Sequence, residues 1–177
     1  MDGQAGAVSA AGDEMADCLA NEGQIFFCGN GGSAAAAQHI AAELSGRLVR
    51  DRRPLAGIAL TADTAAITAI ANDYGYDQVF ARQIHALAVG RGFHCLVILS
   101  TSGNSPNILE AVKAAHFQGM PVIGLFGRTG GKARELCAPD GRSVAICVPS
   151  DSTARIQEAH EFIGHALVAH IEAALGL

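Results

Sequence analysis

A chain of 177 residues, half of them hydrophobic, is long enough to bury one well-packed core and too short for two comfortable domains. Its net charge of −5, its twelve scattered lysines and arginines and its few aromatic residues offer no platform for a phosphate backbone or stacked bases, which excludes a primary nucleic-acid binder. The apolar stretches are broken well before the ~18 residues of a membrane span, and Met1-Asp2-Gly3-Gln4 has no basic segment ahead of an apolar core, so a cytoplasmic protein with no membrane partner is expected.

Hydrophobic period and turn signals predict, in chain order, a helix over 5–22, a strand over 24–28, a helix over 33–47 and a strand over 56–60. Helices near 63–71 and 77–89 follow, then a strand over 94–99, a helix over 105–118 and a strand over 121–125. A short helix near 130–136, a strand over 143–148 and a last helix over 153–175 complete the chain. The order is α/β. Cys95 to Leu99 and Val122 to Leu125 are almost unbroken apolar runs, as strands buried on both faces require. The expected fold is a three-layer α/β/α sandwich around a five-stranded parallel sheet, doubly wound in the flavodoxin-like manner. Residues 1–177 read as a single domain in which 1–23 form a short N-terminal helical segment. The five cysteines, odd in number and without a CxxC pair, suit a reducing compartment and small apolar roles.

Two loops carry the first chemical signal. Ile25-Phe26-Phe27-Cys28 runs into Gly29-Asn30-Gly31-Gly32-Ser33 and an alanine-rich helix; Leu96-Val97-Ile98-Leu99 runs into Ser100-Thr101-Ser102-Gly103-Asn104-Ser105. A helix start leaves backbone N–H groups unpaired and carries partial positive charge, so glycines that admit an anion and serines that donate to it make a phosphate grip. One such loop is usually a turn; two of the same grammar, both at strand ends where α/β sheets bind ligands, point to a phosphorylated substrate.

Two helices carry the second signal. His39 and Glu43 are four apart, so on a helix their Cβ atoms lie roughly 5–6 Å from each other on one face. Gln157 and His165 are eight apart, about 80° around the axis, and also share a face. Together they would make a four-coordinate site suited to Zn²⁺, with a glutamine amide as an uncommon fourth ligand. The spacing equally fits a hydrogen-bonded surface pair on one helix, and a core histidine with a surface glutamine on the other. His85, His94, His116, His160 and His170 have no partner at ligand spacing and are expected to be structural or surface residues.

Cys28-Gly29-Asn30-Gly31-Gly32-Ser33 with Gln38-His39 and Ala42-Glu43-Leu44, the segment Thr68 to Asp77, the loop Ser100 to Asn107, and Ala154-Arg155-Ile156-Gln157-Glu158 with His165 together resemble the phosphoheptose isomerase family of the sugar-isomerase (SIS) domain superfamily. The likeness runs from about residue 24 to the end of the chain. It implies an aldose–ketose isomerase that converts sedoheptulose 7-phosphate to D-glycero-D-manno-heptose 7-phosphate in bacterial heptose biosynthesis. It also implies one zinc per subunit on His39, Glu43, Gln157 and His165. Substrate contacts fall on Asn30, Gly31, Gly32, Glu43, Asn72, Asp73, Ser100, Thr101, Ser102, Ser105 and Gln157, to which Ser33 is added as a phosphate donor. Glu43 is expected to shuttle the carbon-bound proton, and His165 to move protons at the oxygens. The family's homotetramer is the expected assembly, or a dimer, because this chain has only Met1 to Gly23 where relatives carry roughly one more helix. A second departure is Ala36, where relatives carry an aspartate expected to favour the start of the helix dipole.

The rival readings are a non-catalytic SIS regulator that binds a protein partner or a phosphosugar, and another sugar-phosphate enzyme on the same fold. Relatives of the regulatory kind lack the residues at Glu43 and His165, and both are present here.

Overall fold

The computed structural model describes residues 4–88, 93–137 and 141–177. Residues 1–3 of the expected N-terminal segment and residue 89, the expected end of a helix, lie outside the described residues. The elements are α1 (Ala5–Ala20), β1 (Ile25–Gly29), α2 (Gly32–Ser45), β2 (Gly57–Ala59), α3 (Thr64–Tyr74), a 3-10 turn (Tyr76–Gln78) and α4 (Ala81–Leu87). They continue with β3 (Cys95–Ser100), α5 (Pro106–Phe117), β4 (Val122–Gly127), α6 (Gly131–Cys137), β5 (Val144–Val148) and α7 (Thr153–Ala174). Five strands pair in the order β2-β1-β3-β4-β5, all parallel.

Alternation along the strands builds two apolar layers, because successive side chains leave opposite faces of a sheet. Ile25, Phe27, Val97 and Leu99 face one cluster, which α1, α2 and α7 complete with Met15, Ile40, Leu44, Ile163 and Leu167. Phe26, Cys28, Leu96 and Ile98 face the other, with Phe80 and Ile84 near α4, Ile108 and Val112 of α5, and Ala133 of α6. Cys18, Cys28, Cys95 and Cys137 are buried thiols, and desolvation pushes Cys18 up to about 12 and Cys28 higher, so neither is an effective nucleophile. Among the described residues, no helix is long and apolar enough to cross a membrane.

Two helices differ from the sequence expectation. The one expected near 77–89 begins only at Ala81, after the 3-10 turn at Tyr76–Gln78. The helix expected to end at 71 continues to Tyr74, because Asp63 caps its start by accepting from the Ala66 N–H at 2.9 Å and the chain first turns away at Gly75, φ 94°. Asn72 and Asp73 therefore sit in the last turn of α3.

Two features hold α2 against α7, the helices with the candidate ligands. A Cβ on Gly164 would lie 2.4 Å from Ile40 Cδ1 and 2.7 Å from Ile40 Cγ1, so any larger residue there would push the Ile40 side chain out of the space between the two helices. Arg52, its side chain 1% exposed, donates to the backbone carbonyls of Glu43 at 2.7 Å, Leu44 at 2.8 Å and Gly46 at 3.1 Å, and through Nε to Glu172 of α7 at 2.8 Å. One guanidinium thus satisfies the open end of α2 and ties it to the neighbouring helix. Arg52→Ala leaves those carbonyls and the Glu172 carboxylate without their donor, and urea unfolding is expected to show a loss of about 3–5 kcal/mol.

His160 is the one fully buried histidine of α7, with neither ring nitrogen in hydrogen-bond geometry. Burial lowers its pKa from the ordinary imidazole value, against a smaller opposing influence of the Phe126 backbone. The unfolded chain therefore binds the proton more readily, so stability is full above the ordinary imidazole range and falls as pH drops below it. His160→Leu is expected to flatten that acid limb, seen as a smaller loss of denaturation midpoint between neutral and mildly acidic pH.

Candidate active site

β1 and β3 are adjacent in the sheet, and from them the chain departs in opposite directions, to β2 on one side and to β4 on the other. This is the topological switch point of a doubly wound sheet, where a crevice opens beyond the carboxyl ends of the strands. Both glycine/serine loops lie there. They line a cleft of about 300 Å³ together with Gln157 and Thr153 of α7. Asn30, Gly31, Gly32, Ser33, Ser100, Thr101, Ser102 and Ser105 all contribute to its wall. A larger apolar groove of about 700 Å³ between α1, β5 and α7 holds neither a serine loop nor the candidate ligands, so the chemistry is assigned to the smaller cleft.

The glycine loop reaches α2 through Gly31, which has φ 56° and stands at the N-cap with no side-chain cap; the amides of Ser33 and Ala34 donate to the carbonyls of Asn30 and Gly31, each at 3.0 Å, which leaves the Gly32 amide to face an anion. The serine loop is a tight turn. Ser100 Oγ accepts from Gly103 N at 3.0 Å, Ser102 Oγ accepts from Asn104 N at 3.3 Å, and Asn104 Oδ1 accepts from Lys132 N at 3.1 Å. Ser105 caps α5 by position and makes no side-chain cap hydrogen bond, which leaves its hydroxyl for a ligand.

An amide pair joins the two loops. Asn30 Nδ2 donates to Asn107 Oδ1 at 2.9 Å, Asn107 Nδ2 donates to Asn30 Oδ1 at 2.8 Å, and Tyr76 Oη donates to the same Asn30 oxygen at 3.1 Å. Asn107 is buried. It was not among the residues expected from sequence, since its partner lies 77 positions away. Asn30 thus serves the loop framework as well as facing the cleft. Asn72 and Asp73 are exposed on α3 and bonded to each other at 2.7 Å; they join the site's surroundings only through the following segment, where Tyr76 meets Asn30.

On the other side, α2 and α7 bring His39, Glu43 and His165 together, with one donor atom from each lying within 4.8 Å of the others. The rings of His39 and His165 meet edge to face at 5.1 Å. Gln157, two turns before His165 on α7, packs so close to the glycine loop that a Cβ on Gly32 would lie 2.6 Å from its Nε2. Gln157 is therefore the side chain that connects the three-residue cluster's helix with the cleft.

The donor set fits a cation. His39 faces a carboxylate at each ring nitrogen: Nε2 is 3.3 Å from Glu43 Oε1 and Nδ1 is 3.0 Å from Glu161 Oε2. A neutral imidazole has one N–H, so one carboxylate faces a lone pair and the gap between them suits positive charge. Two imidazoles and a carboxylate are ligand types that zinc takes. Glu43 Oε2 is buried and has no hydrogen-bond partner. Glu161 escaped the sequence reading although it stands midway between Gln157 and His165, four residues from each, on the same helical face. Ala36, the departure noted above, is the fifth residue of α2 and packs into the core, so it faces the sheet and not the helix terminus.

Known proteins share this sequence and fold. Residues 1–127 match the family model of the SIS domain. The chain is 54% identical over 157 residues to the phosphoheptose isomerase of Bordetella avium, covering 89% of this chain and 78% of that one. Among solved structures, phosphoheptose isomerase GmhA from Neisseria gonorrhoeae superposes with a TM-score of 0.87 at 49% identity, over 96% of this chain and 87% of that one. A phosphoheptose isomerase from Francisella tularensis gives 0.89 at 41% identity, over 96% and 86%.

Removing the amide pair tests the loop framework. Asn107→Ala strands the buried face of Asn30 and is expected to cost about 1–3 kcal/mol in chemical denaturation and to raise KM for a phosphosugar. Parental stability together with parental KM would contradict the coupling of the two loops.

Proposed function

The chain belongs to the phosphoheptose isomerase family of SIS-domain proteins, and on that premise we propose that it is an isomerase converting sedoheptulose 7-phosphate to D-glycero-D-manno-heptose 7-phosphate in heptose biosynthesis. The observation that carries this reading beyond the family name is that α2 and α7 carry two chemically distinct features: a cleft walled by serines and by Gln157, and, further along the same two helices, a His39–Glu43–His165 cluster. A regulatory phosphosugar binder needs only the first.

Shifting a carbonyl from C2 to C1 means taking a weakly acidic proton from C1, stabilising an enediolate, and returning the proton to C2. The phosphate is held by the Gly32 amide, the Ser33 hydroxyl and Ser100, Thr101, Ser102 and Ser105, far from the reacting carbons. Its binding energy positions the sugar's other end. Glu43 Oε2, buried and unpartnered, is the base that takes the C1 proton and delivers it to C2. Confinement on both carbons' side lets one carboxylate serve both transfers. His165, on the facing helix, moves the proton between the two oxygens. Asn30 and Gln157 orient the hydroxyls between the phosphate and the reacting end, with Asn72 and Asp73 as outer contacts. His39, Glu43 through Oε1, Gln157 and His165 would hold one zinc per subunit, which when bound polarises the carbonyl and offsets the negative charge of the enediolate. An oligomer, with the tetramer as the reading taken from the family, and a cytoplasmic site of action complete the proposal.

The test is to incubate the protein with sedoheptulose 7-phosphate and follow aldose formation, with and without a strong chelator and zinc add-back. Turnover that is lost to the chelator and restored by zinc is expected. Glu43→Gln and His165→Ala should each lower kcat by about 10²–10⁴-fold while circular dichroism stays unchanged. Ser102→Ala should raise KM, by roughly tenfold for a lost charge-assisted hydrogen bond, with kcat nearly intact. A fully active Glu43→Gln protein would reject the proton-transfer assignment.

A further inference from the structure

We propose that Glu161 is a positioning residue of this site: it holds the Nδ1–H of His39, and thereby fixes the tautomer that presents Nε2 to a cation shared with Glu43. The inference rests on the metal reading given above and extends it by one side chain. Glu161 Oε2 lies 3.0 Å from His39 Nδ1, across 122 residues of sequence, while Nε2 at the far edge of the ring faces Glu43 Oε1 at 3.3 Å. A carboxylate only accepts, so the single N–H of a neutral ring points at one of the two. The shorter contact is to Glu161. Glu43, by contrast, belongs to the cluster that converges with His165, and its second oxygen is buried without a partner. Among the described residues the hydrogen bond to His39 is the one that Glu161 makes, beside a weaker electrostatic influence on the buried His160.

Placement supports the same division of labour. Gln157, Glu161 and His165 repeat every fourth residue along one stripe of α7, so the helix that offers the candidate ligands also delivers the carboxylate that aims the third. The side chain of His39 is 45% exposed and that of Glu43 21%. A half-exposed imidazole without a partner at Nδ1 would sample both tautomers and several ring orientations; an anchored one would not. Orientation by a carboxylate also makes Nε2 a better electron donor.

Zinc affinity of the metal-free protein, measured by competition with a chromophoric chelator, tests the idea together with ¹⁵N NMR of the His39 ring. Glu161→Ala is expected to bind one zinc about 10–100-fold more weakly than the parent. Glu161→Gln, whose amide oxygen still accepts the Nδ1–H, should fall between the two. The NMR should show the proton on Nδ1 in the parent and in Glu161→Gln, and a shift toward Nε2–H in Glu161→Ala. Thermal unfolding of the metal-free forms should be unchanged; if the alanine variant does not fold, the near-isosteric glutamine variant decides. Parental zinc affinity in a folded Glu161→Ala protein, or a parent that carries its His39 proton on Nε2, would overturn the proposal alone. A parent that binds no zinc at all would overturn the metal reading and this proposal with it.

Discussion

The close approach of α2 and α7 is the constraint on which the rest of the molecule depends. His39 and Glu43 ride on one helix, His165 and Gln157 on the other, and more than a hundred residues separate the two pairs. Nothing in either helix alone brings their side chains within a few ångströms. That proximity is made by the absence of a side chain at Gly164, into whose space Ile40 fits, and by Arg52, which binds the end of α2 with one set of N–H groups and Glu172 with another. The buried guanidinium satisfies the Glu43 carbonyl itself, so the backbone of a candidate catalytic residue is anchored by a group with no part in the chemistry.

The sheet performs the complementary task. A parallel strand buried on both faces must end at one edge, and there β1 and β3 release their chains toward opposite sides. The crevice that results is a consequence of winding and not of any one residue. What the sequence adds is the filling of that crevice with glycine, serine and asparagine, and a reciprocal amide pair that locks one loop to the other. The candidate phosphate-binding loops and the His39–Glu43–His165 cluster are linked because α2 and α7 take part in both.

Local pattern made most of this legible. Five apolar runs became five strands, and the helix limits agree to within a few residues, because burial on two faces and an amphipathic stripe both leave their mark in consecutive residues. The serine loops and the His39/Glu43 and Gln157/His165 spacings were visible for the same reason: each is a short-range feature. Asn107 and Glu161 were not visible, since their roles consist of contacts with Asn30 and His39, 77 and 122 residues away. Glu161 left a partial trace, the four-residue rhythm of Gln157, Glu161 and His165, which reads as a ligand stripe only once the partner helix is in place. The end of α3 was misjudged because Asn72 and Asp73 carry turn propensity that the cap at Asp63 and the stop at Gly75 override. The first-turn carboxylate expected at position 36 has no counterpart in a helix-terminus role here, since Ala36 lies on the face of α2 that packs into the core.

The central claim is that two distant helices make one cation site at the rim of a phosphate cleft. Diffraction from zinc-soaked crystals, recorded on both sides of the zinc absorption edge, tests it most directly. The account predicts one anomalous peak per chain, with His39, Glu43, Gln157 and His165 as its ligands. A peak elsewhere on the surface, or no peak with those four side chains ordered and apart, would contradict it.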